Sequence, residues 1–383
     1  MPRSLFDRLP KLSDEATDPR FRMVRDHHIH QATRRLMDEI HGAFHGADRS
    51  FVREFQTGGF SPRVLELALF AALQEQGHTL ERTGGAPDFL IGGSHPVAIE
   101  ATTSNPAQDS PRPDPEHLFG GRHPLVPEDL EAAEAEFVLQ SAKALRRKLL
   151  KRDAQNRAYW EQPHIQGRPF VIALESFHHL SSLFHTVGPL ASYLYGRRTV
   201  PGRDADGALM WTSEQITEHQ YAGTTIPSAL FKLPEAAHLA AVIFSNSATV
   251  AKFHRMGTER GYGPDDVALL RYGSVLNPDP AADHPRPHAY VVGDYSPEDH
   301  ETFSEGFHIL HNPWARTPIA DGVFHGFTEH RLRDDGLVLS TTSRADFFVS
   351  HTVVFHLSNA RTTARGYAAR FLAGPGPGPD ASP

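Results

Sequence analysis

Asp88 and Glu100 are the residues in this chain whose types and placement suggest chemistry. They stand on either side of Gly92-Gly93-Ser94-His95-Pro96, a run of turn-forming residues. The flanking runs, Asp88-Phe89-Leu90-Ile91 and Val97-Ala98-Ile99-Glu100-Ala101-Thr102, are apolar and rich in β-branched residues, so residues 87–105 read as a β-hairpin with one acid on each arm. Strand side chains alternate, so Ile99 and Glu100 take opposite faces, and Glu100 can border a hydrophobic run without entering it. Two carboxylates on neighbouring arms repel unless a cation or a shared proton relieves them. An all-oxygen, doubly charged pair is the donor set that Mg²⁺ prefers. The plainer reading makes Asp88 a turn cap and Glu100 a solvated strand residue.

Such a pair needs flanking elements to hold it. Before the hairpin, residues 62–76 predict a helix that is apolar almost all round, with Ser61 as N-cap, Pro62 in its first turn and Gly77 at its end. Glu66 lies inside that apolar run, where a carboxylate must be paired, protonated or bound to a cation; alternatively it lines an exposed strip with Arg63 one turn before it. A loop with four prolines occupies residues 106–115. A long helix follows over residues 127–160, acidic at its start and basic later, in accord with the helix dipole. Its basic part carries Lys143, Arg147, Lys148, Lys151 and Arg152, a solvated face or the lining of a phosphate-binding groove. Residues 167–175 are a short apolar run with the look of a buried strand.

Asp88 after Pro87, then Glu100-Ala101-Thr102 on the second arm, resembles the PD-(D/E)XK nuclease superfamily, whose motif is an Asp followed by Glu-x-Lys on a hairpin. The resemblance covers residues 57–176. It implies an α/β fold with a restriction-endonuclease-like αβββαβ core, a mixed sheet flanked by helices, provided a first strand lies near residues 78–82. It implies a metal-dependent hydrolase of phosphodiester bonds, in DNA ahead of RNA, with Asp88, Glu100 and the Ala101 carbonyl holding Mg²⁺ or Mn²⁺. Glu66 would hold a second ion or a water. The chain departs from the motif at Thr102, which stands where the family has lysine. In this superfamily the lysine can move to the following helix; Lys148 is the candidate here, in competition with Lys143 and Arg147. Lys143, Arg147, Lys151 and Arg152 would contact nucleic acid. If nothing replaces the lysine, the alternative is a catalytically inactive nuclease-like scaffold that binds nucleic acid or a protein.

The whole chain bounds these readings. It has 383 residues, 39% hydrophobic and 22% charged, with a formal net charge of −8. That charge excludes a uniformly basic coat but allows a local basic groove. No run of about 18 apolar residues is present, so no membrane span is expected. The N-terminus is too polar for a signal peptide, and the expected compartment is the cytoplasm. Cysteine is absent, which excludes disulfides, thiolate catalysis and cysteine-rich zinc sites. Among 25 histidines, His27-His28-x-His30 and His178-His179 could ligate a metal or serve a different hydrolase, although neither has helical zinc-site spacing. Esterase, P-loop, dinucleotide-binding and zinc-protease motifs are missing.

The expected organisation is an N-terminal helical arm over residues 1–50, poorly ordered up to residue 20 and helical over 21–47. The nuclease-like core follows over residues 51–180. An α/β extension of unknown role covers residues 181–370, and a disordered tail residues 371–383. Within the extension, residues 183–195 and 247–261 predict helices, residues 239–245, 267–272, 289–292 and 347–355 predict strands, and residues 196–234 are irregular apart from a short helix or turn near Glu214. Phe244-Ser245-Asn246-Ser247-Ala248-Thr249 is similar to a string in an uncharacterised bacterial family, a resemblance that implies no function.

Overall fold

The computed structural model describes residues 4–44, 50–81, 85–104, 129–176, 180–207, 209–277, 279, 282, 284–294, 300–342 and 347–373. The loop expected at residues 106–115 and the His178-His179 pair lie outside them. From the fourth helix onward the elements run α4 (Phe60–Glu75), β1 (Leu80–Glu81), β2 (Phe89–Ile91), β3 (Val97–Ser104), α5 (Leu130–Leu149) and β4 (Phe170–Ser176). Among the described residues this is helix, three strands, helix, a short 3-10 turn (Tyr159–Glu161) and a strand, with the weakly signalled first strand present. β1, β2 and β3 pair antiparallel, whereas β3 and β4 are parallel, with Ile99 opposite Val171 and Thr102 opposite Leu174.

The sheet continues far beyond β4. Next to it lies β9 (Leu239–Ser245), then β12 (Phe307–His311), β13 (Thr328–Leu332) and β14 (Val338–Thr341), giving eight strands in the order β1-β2-β3-β4-β9-β12-β13-β14. β4 and β9 are buried at every position, because helices cover both faces. Residues 51–180 and the segments after 181 therefore share one sheet. A second sheet, in the order β11-β10-β15, joins β10 (Val267–Val275), β11 (Arg286–Val291) and β15 (Phe347–His356), and the C-terminal helix α8 (Ala360–Ala373) packs on it.

The two faces of the large sheet carry separate cores. Ile99, Ala101, Val171, Ala173 and Ile243 face a cluster containing α4, the N-terminal helices and α7 (Val250–Glu259). Ala98, Ile172, Leu174, Val242 and Phe244 face α5 and α6 (Val187–Tyr195). α4 is buried at Phe60 and throughout residues 63–73, as its nearly continuous apolar surface demands. Each large side chain buried there contributes about 1.5–3 kcal/mol.

Several expectations need correction. The arm is anchored at Leu5 and Phe6, which are buried, while most of residues 7–16 are exposed: Phe6 stacks on Phe21, and the Gln56 side chain donates to the Leu5 and Asp7 carbonyls. The arm's charges and prolines masked two aromatic-core anchors. The single helix expected over residues 21–47 is two, α1 (Pro19–Asp26) and α2 (Gln31–Ala43), with Asp18 accepting from the Arg20 N–H as the cap of the first. α4 starts earlier than expected, with Gly59 as N-cap, and Ser61 instead accepts a hydrogen bond from Arg20. The helix expected over residues 247–261 runs Val250–Glu259, with Thr249 as its cap. The irregular stretch 196–234 holds two hairpins, β5 (Arg197–Arg203) with β6 (Leu209–Gln215), and β7 (Glu218–Tyr221) with β8 (Thr224–Pro227). Their strands are mostly exposed, so no hydrophobic alternation announced them. Residues 371–373, expected to belong to the tail, are the end of α8; residues 374–383 lie outside the described residues.

Candidate active site

The site lies where β2 stops short of β3. The last registered pair is Phe89 with Ile99, and Asp88 stands just before it. There its carboxylate takes the place of strand backbone: Asp88 Oδ2 accepts the Ala101 N–H at 2.7 Å. The Ala98 N–H donates toward β4, to Pro169 O, so by alternation the odd residues of β3 turn their backbone groups toward β2. The Ala101 carbonyl thus shares the open edge with Asp88.

Glu100 takes the opposite side-chain face from Ile99 and Ala101, toward α5, and is only 3% exposed. Its Oε1 accepts from Lys148 Nζ at 2.6 Å and from the Tyr159 hydroxyl at 2.6 Å, and Lys151 Nζ lies 3.8 Å away. Its Oε2 is buried and has no hydrogen-bond partner among the described residues. Such an oxygen is costly to leave bare, and a cation would satisfy it. Burial first, and the Glu100 charge second, push the Asp88 carboxyl up to about 7, against the pull of the Ala101 N–H, Lys148 and Arg63. The two acids are therefore electrostatically coupled, as expected for a hairpin pair. The donor set fits a hard divalent cation: one bare buried carboxylate oxygen, a second carboxylate whose pKa burial and the neighbouring Glu100 charge raise, and a neighbouring backbone carbonyl.

Lys148 is the cation that reaches Glu100. It lies in the last turn of α5 beside the fully buried Leu145 and Leu149, which fix that face of the helix against the sheet. Arg147 donates to the Thr102 hydroxyl at 3.1 Å, the position where a lysine was missing. Lys143 is exposed one turn earlier. Lys151 sits over the Tyr159 ring, and Arg152 turns back to the Leu149 and Lys151 carbonyls and stacks over Trp160. Arg147, Lys148 and Lys151 thus crowd the mouth at Glu100, while Lys143 and Arg152 stand away from it.

Glu66 is buried, which excludes the exposed-strip reading, but Arg63 meets it at 2.6 Å and also bonds Glu54 at 2.6 Å. Arg63 also lowers the Asp88 pKa. The helix acid thus reaches the pair through a buried arginine, which it bonds through Oε2. A charge pair three residues apart in an apolar helix was the visible signal for Arg63.

Tyr159 was missed because the helix was read through to residue 160. α5 ends at Leu149; Asp153 Oδ1 then accepts the Gln155 and Arg157 N–H groups, and Asn156 adopts a positive φ of 61°. That turn folds the chain back and delivers Tyr159 to Glu100. Burial, then the Glu100 charge, hold its phenol far above its ordinary range, so it is a donor at every working pH. Glu175 was missed as well. It lies on β4, on the face of Val171 and Ala173, fully buried, with neither carboxylate oxygen hydrogen-bonded among the described residues, and burial raises its pKa well above the ordinary value. No helix among the described residues is long and apolar enough to cross a membrane. No protein-family model, curated protein or solved structure compared with this chain matches it.

Proposed function

We propose that this protein is a metal-dependent nuclease of the PD-(D/E)XK type, with a divergent restriction-endonuclease-like core in which Lys148 on α5 serves in place of the motif lysine. The observation that carries the reading is the convergence of Asp88, Glu100 with a bare Oε2, and Lys148 Nζ at 2.6 Å from Glu100 Oε1, on one edge of a mixed sheet. The element order from α4 to β4 supports it independently.

Asp88, Glu100 and the Ala101 carbonyl would hold Mg²⁺ or Mn²⁺. When bound, the ion supplies charge neutralisation at the scissile phosphate and makes water more acidic. Lys148 and Tyr159 fix the Glu100 carboxylate through Oε1, so Oε2, which has no hydrogen-bond partner among the described residues, would be the oxygen that holds the cation. In the hydrolysis, a water oxygen bonds to phosphorus, the bridging P–O bond breaks, and the departing oxygen gains a proton. Arg147 and Lys151, beside Glu100, supply positive charge for the nucleic-acid backbone. Arg152 and Lys143, on the same basic segment but farther from Glu100, would extend that contact along the backbone.

The test is incubation with single- and double-stranded DNA and RNA in Mg²⁺, Mn²⁺ or EDTA. Cleavage that needs the metal and disappears in Asp88→Asn and Glu100→Gln is the expected result. Lys148→Ala should lower the single-turnover rate about 100-fold or more while binding changes little. Lys151→Ala and Arg152→Ala should mainly weaken binding and flatten its salt dependence. Binding without cleavage under every condition would replace this reading with an inactive scaffold.

A further inference from the structure

His28 sits in the single turn between α1 and α2, Asp266 just before β10, and His356 at the end of β15, opposite Val267. They lie far apart in the chain, yet His28 Nε2 is 3.0 Å from Asp266 Oδ1 and His356 Nε2 is 2.9 Å from Asp266 Oδ2. One ligand atom from each lies within 4.8 Å of the other two. The rings are 5.6 Å apart and tilted by 46°, so both imidazoles aim one nitrogen at the same carboxylate.

These distances have a chemical reading. Zinc binds His nitrogen at about 2.0–2.1 Å and carboxylate oxygen at about 2.0–2.2 Å, so neighbouring ligand atoms on a tetrahedron stand about 3.3–3.5 Å apart. The two nitrogen–oxygen separations, one to each oxygen of Asp266, are hydrogen-bond distances somewhat shorter than that edge, so a small opening of the group would admit one cation. Two imidazoles and one carboxylate form a borderline donor set, unlike the all-oxygen set at Asp88 and Glu100. All three side chains are about half exposed, at 53%, 47% and 50%, which leaves the remaining coordination positions to water. The sequence pointed at His27-His28-x-His30, but the fold takes only His28 from it. His30 is buried against the His254 ring instead.

We propose that His28, Asp266 and His356 bind a borderline divalent cation, zinc first, as a clip between the N-terminal helices and the three-stranded sheet. The site is independent of the nuclease reading. A cation there would tie His28, between α1 and α2, to the ends of β10 and β15, so it should stabilise the folded chain in proportion to its affinity.

The full chain, in excess Mg²⁺ to fill oxygen-only sites, is titrated with Zn²⁺ by calorimetry and with Co²⁺ by visible absorption, and melted with and without Zn²⁺. One equivalent should bind, Co²⁺ should show the intense visible bands of low coordination number, and the melting temperature should rise with Zn²⁺. His28→Ala, His356→Ala and Asp266→Asn should each weaken binding about tenfold or more and remove the Zn²⁺-dependent rise, while His95→Ala, at an exposed histidine elsewhere, keeps both. The three side chains are surface groups, so the variants should melt near the parent without metal; Asp266→Asn also keeps the shape and serves if a histidine variant does not. Absence of saturable binding, or equal binding by parent and all three variants, overturns the site.

Discussion

At the scale of single residues, the two acids of the hairpin have different partners: Asp88 meets a backbone N–H, Glu100 a lysine and a phenol. Asp88 is pushed up to about 7, so the folded chain holds its proton more tightly than the unfolded chain, where Asp titrates near about 4. The stability tied to that proton is complete below about pH 4 and is lost as pH rises through about 7. Asp88→Asn is neutral throughout and still accepts from the Ala101 N–H. It should melt close to the parent at pH 4 and be more stable than the parent by about 2 kcal/mol at pH 8 in EDTA. Glu100→Gln should do the reverse, losing about 1–2 kcal/mol because Lys148 and Tyr159 trade a charged acceptor for a neutral one. Melts of both variants across this pH range check the pair; if Asp88→Asn is the less stable protein at pH 8, its role is structural. Tyr159→Phe removes one of the two donors that orient Glu100. It should slow cleavage about tenfold with substrate affinity unchanged, read from single-turnover rates against binding isotherms.

At the scale of elements, the ends of helices and a buried ion cluster decide what the patterns left open. The basic helix stops at Leu149 because Asp153 offers its oxygen to two backbone N–H groups, a competing turn that a helical pattern does not weigh. The place of the second sheet is likewise set by charges. Arg255 on α7 meets Glu301 with two bonds of 2.7 and 2.6 Å, Arg271 on β10 meets Glu305 at 2.6 Å, and Lys252 donates to the Glu305 carbonyl, all buried. Burial would raise Glu301, but Arg255 and Arg271, with Lys252 behind them, overcome it and hold it at about 2. Its contribution is therefore present above about pH 4.5 and fades as pH falls toward 2. Glu301→Gln should cost about 3–5 kcal/mol at pH 7, since two buried guanidinium groups lose their shared partner. Chemical denaturation at pH 7 measures it; a cost below about 1 kcal/mol would mean that the cluster relaxes into water.

At the scale of the whole molecule, one sheet crosses the boundary expected near residue 180. β9 pairs with β4 from Phe170 to Glu175, and Leu239, Val242 and Phe244 complete the core that α5 covers. A chain ending at residue 176 would expose the edge of a strand that is buried along its whole length. It should lack a cooperative melting transition and aggregate, whereas the full chain should unfold its large sheet in one step. Calorimetry of both chains tests this, and independent folding of the short one would restore a two-part molecule.

Local chemistry determined much of this. The hairpin, the buried helix before it, the β9 strand and the pairing of Asp88 with Glu100 are legible because alternation, turn residues and unbroken apolar runs are properties of neighbours in the chain. Lys148 was legible as one of three cations on a helix that must cross the sheet; only packing, through Leu145 and Leu149, selected it over Lys143 and Arg147. The strands β12, β13 and β14 escaped notice because their burial comes from partners, not from their own pattern. Tyr159 at Glu100 and the His28–Asp266–His356 group depend on contacts between segments dozens to hundreds of residues apart. Side-chain periodicity carries no information about such meetings, because the free energy that creates them resides in the packed sheet and helices and not in either segment alone.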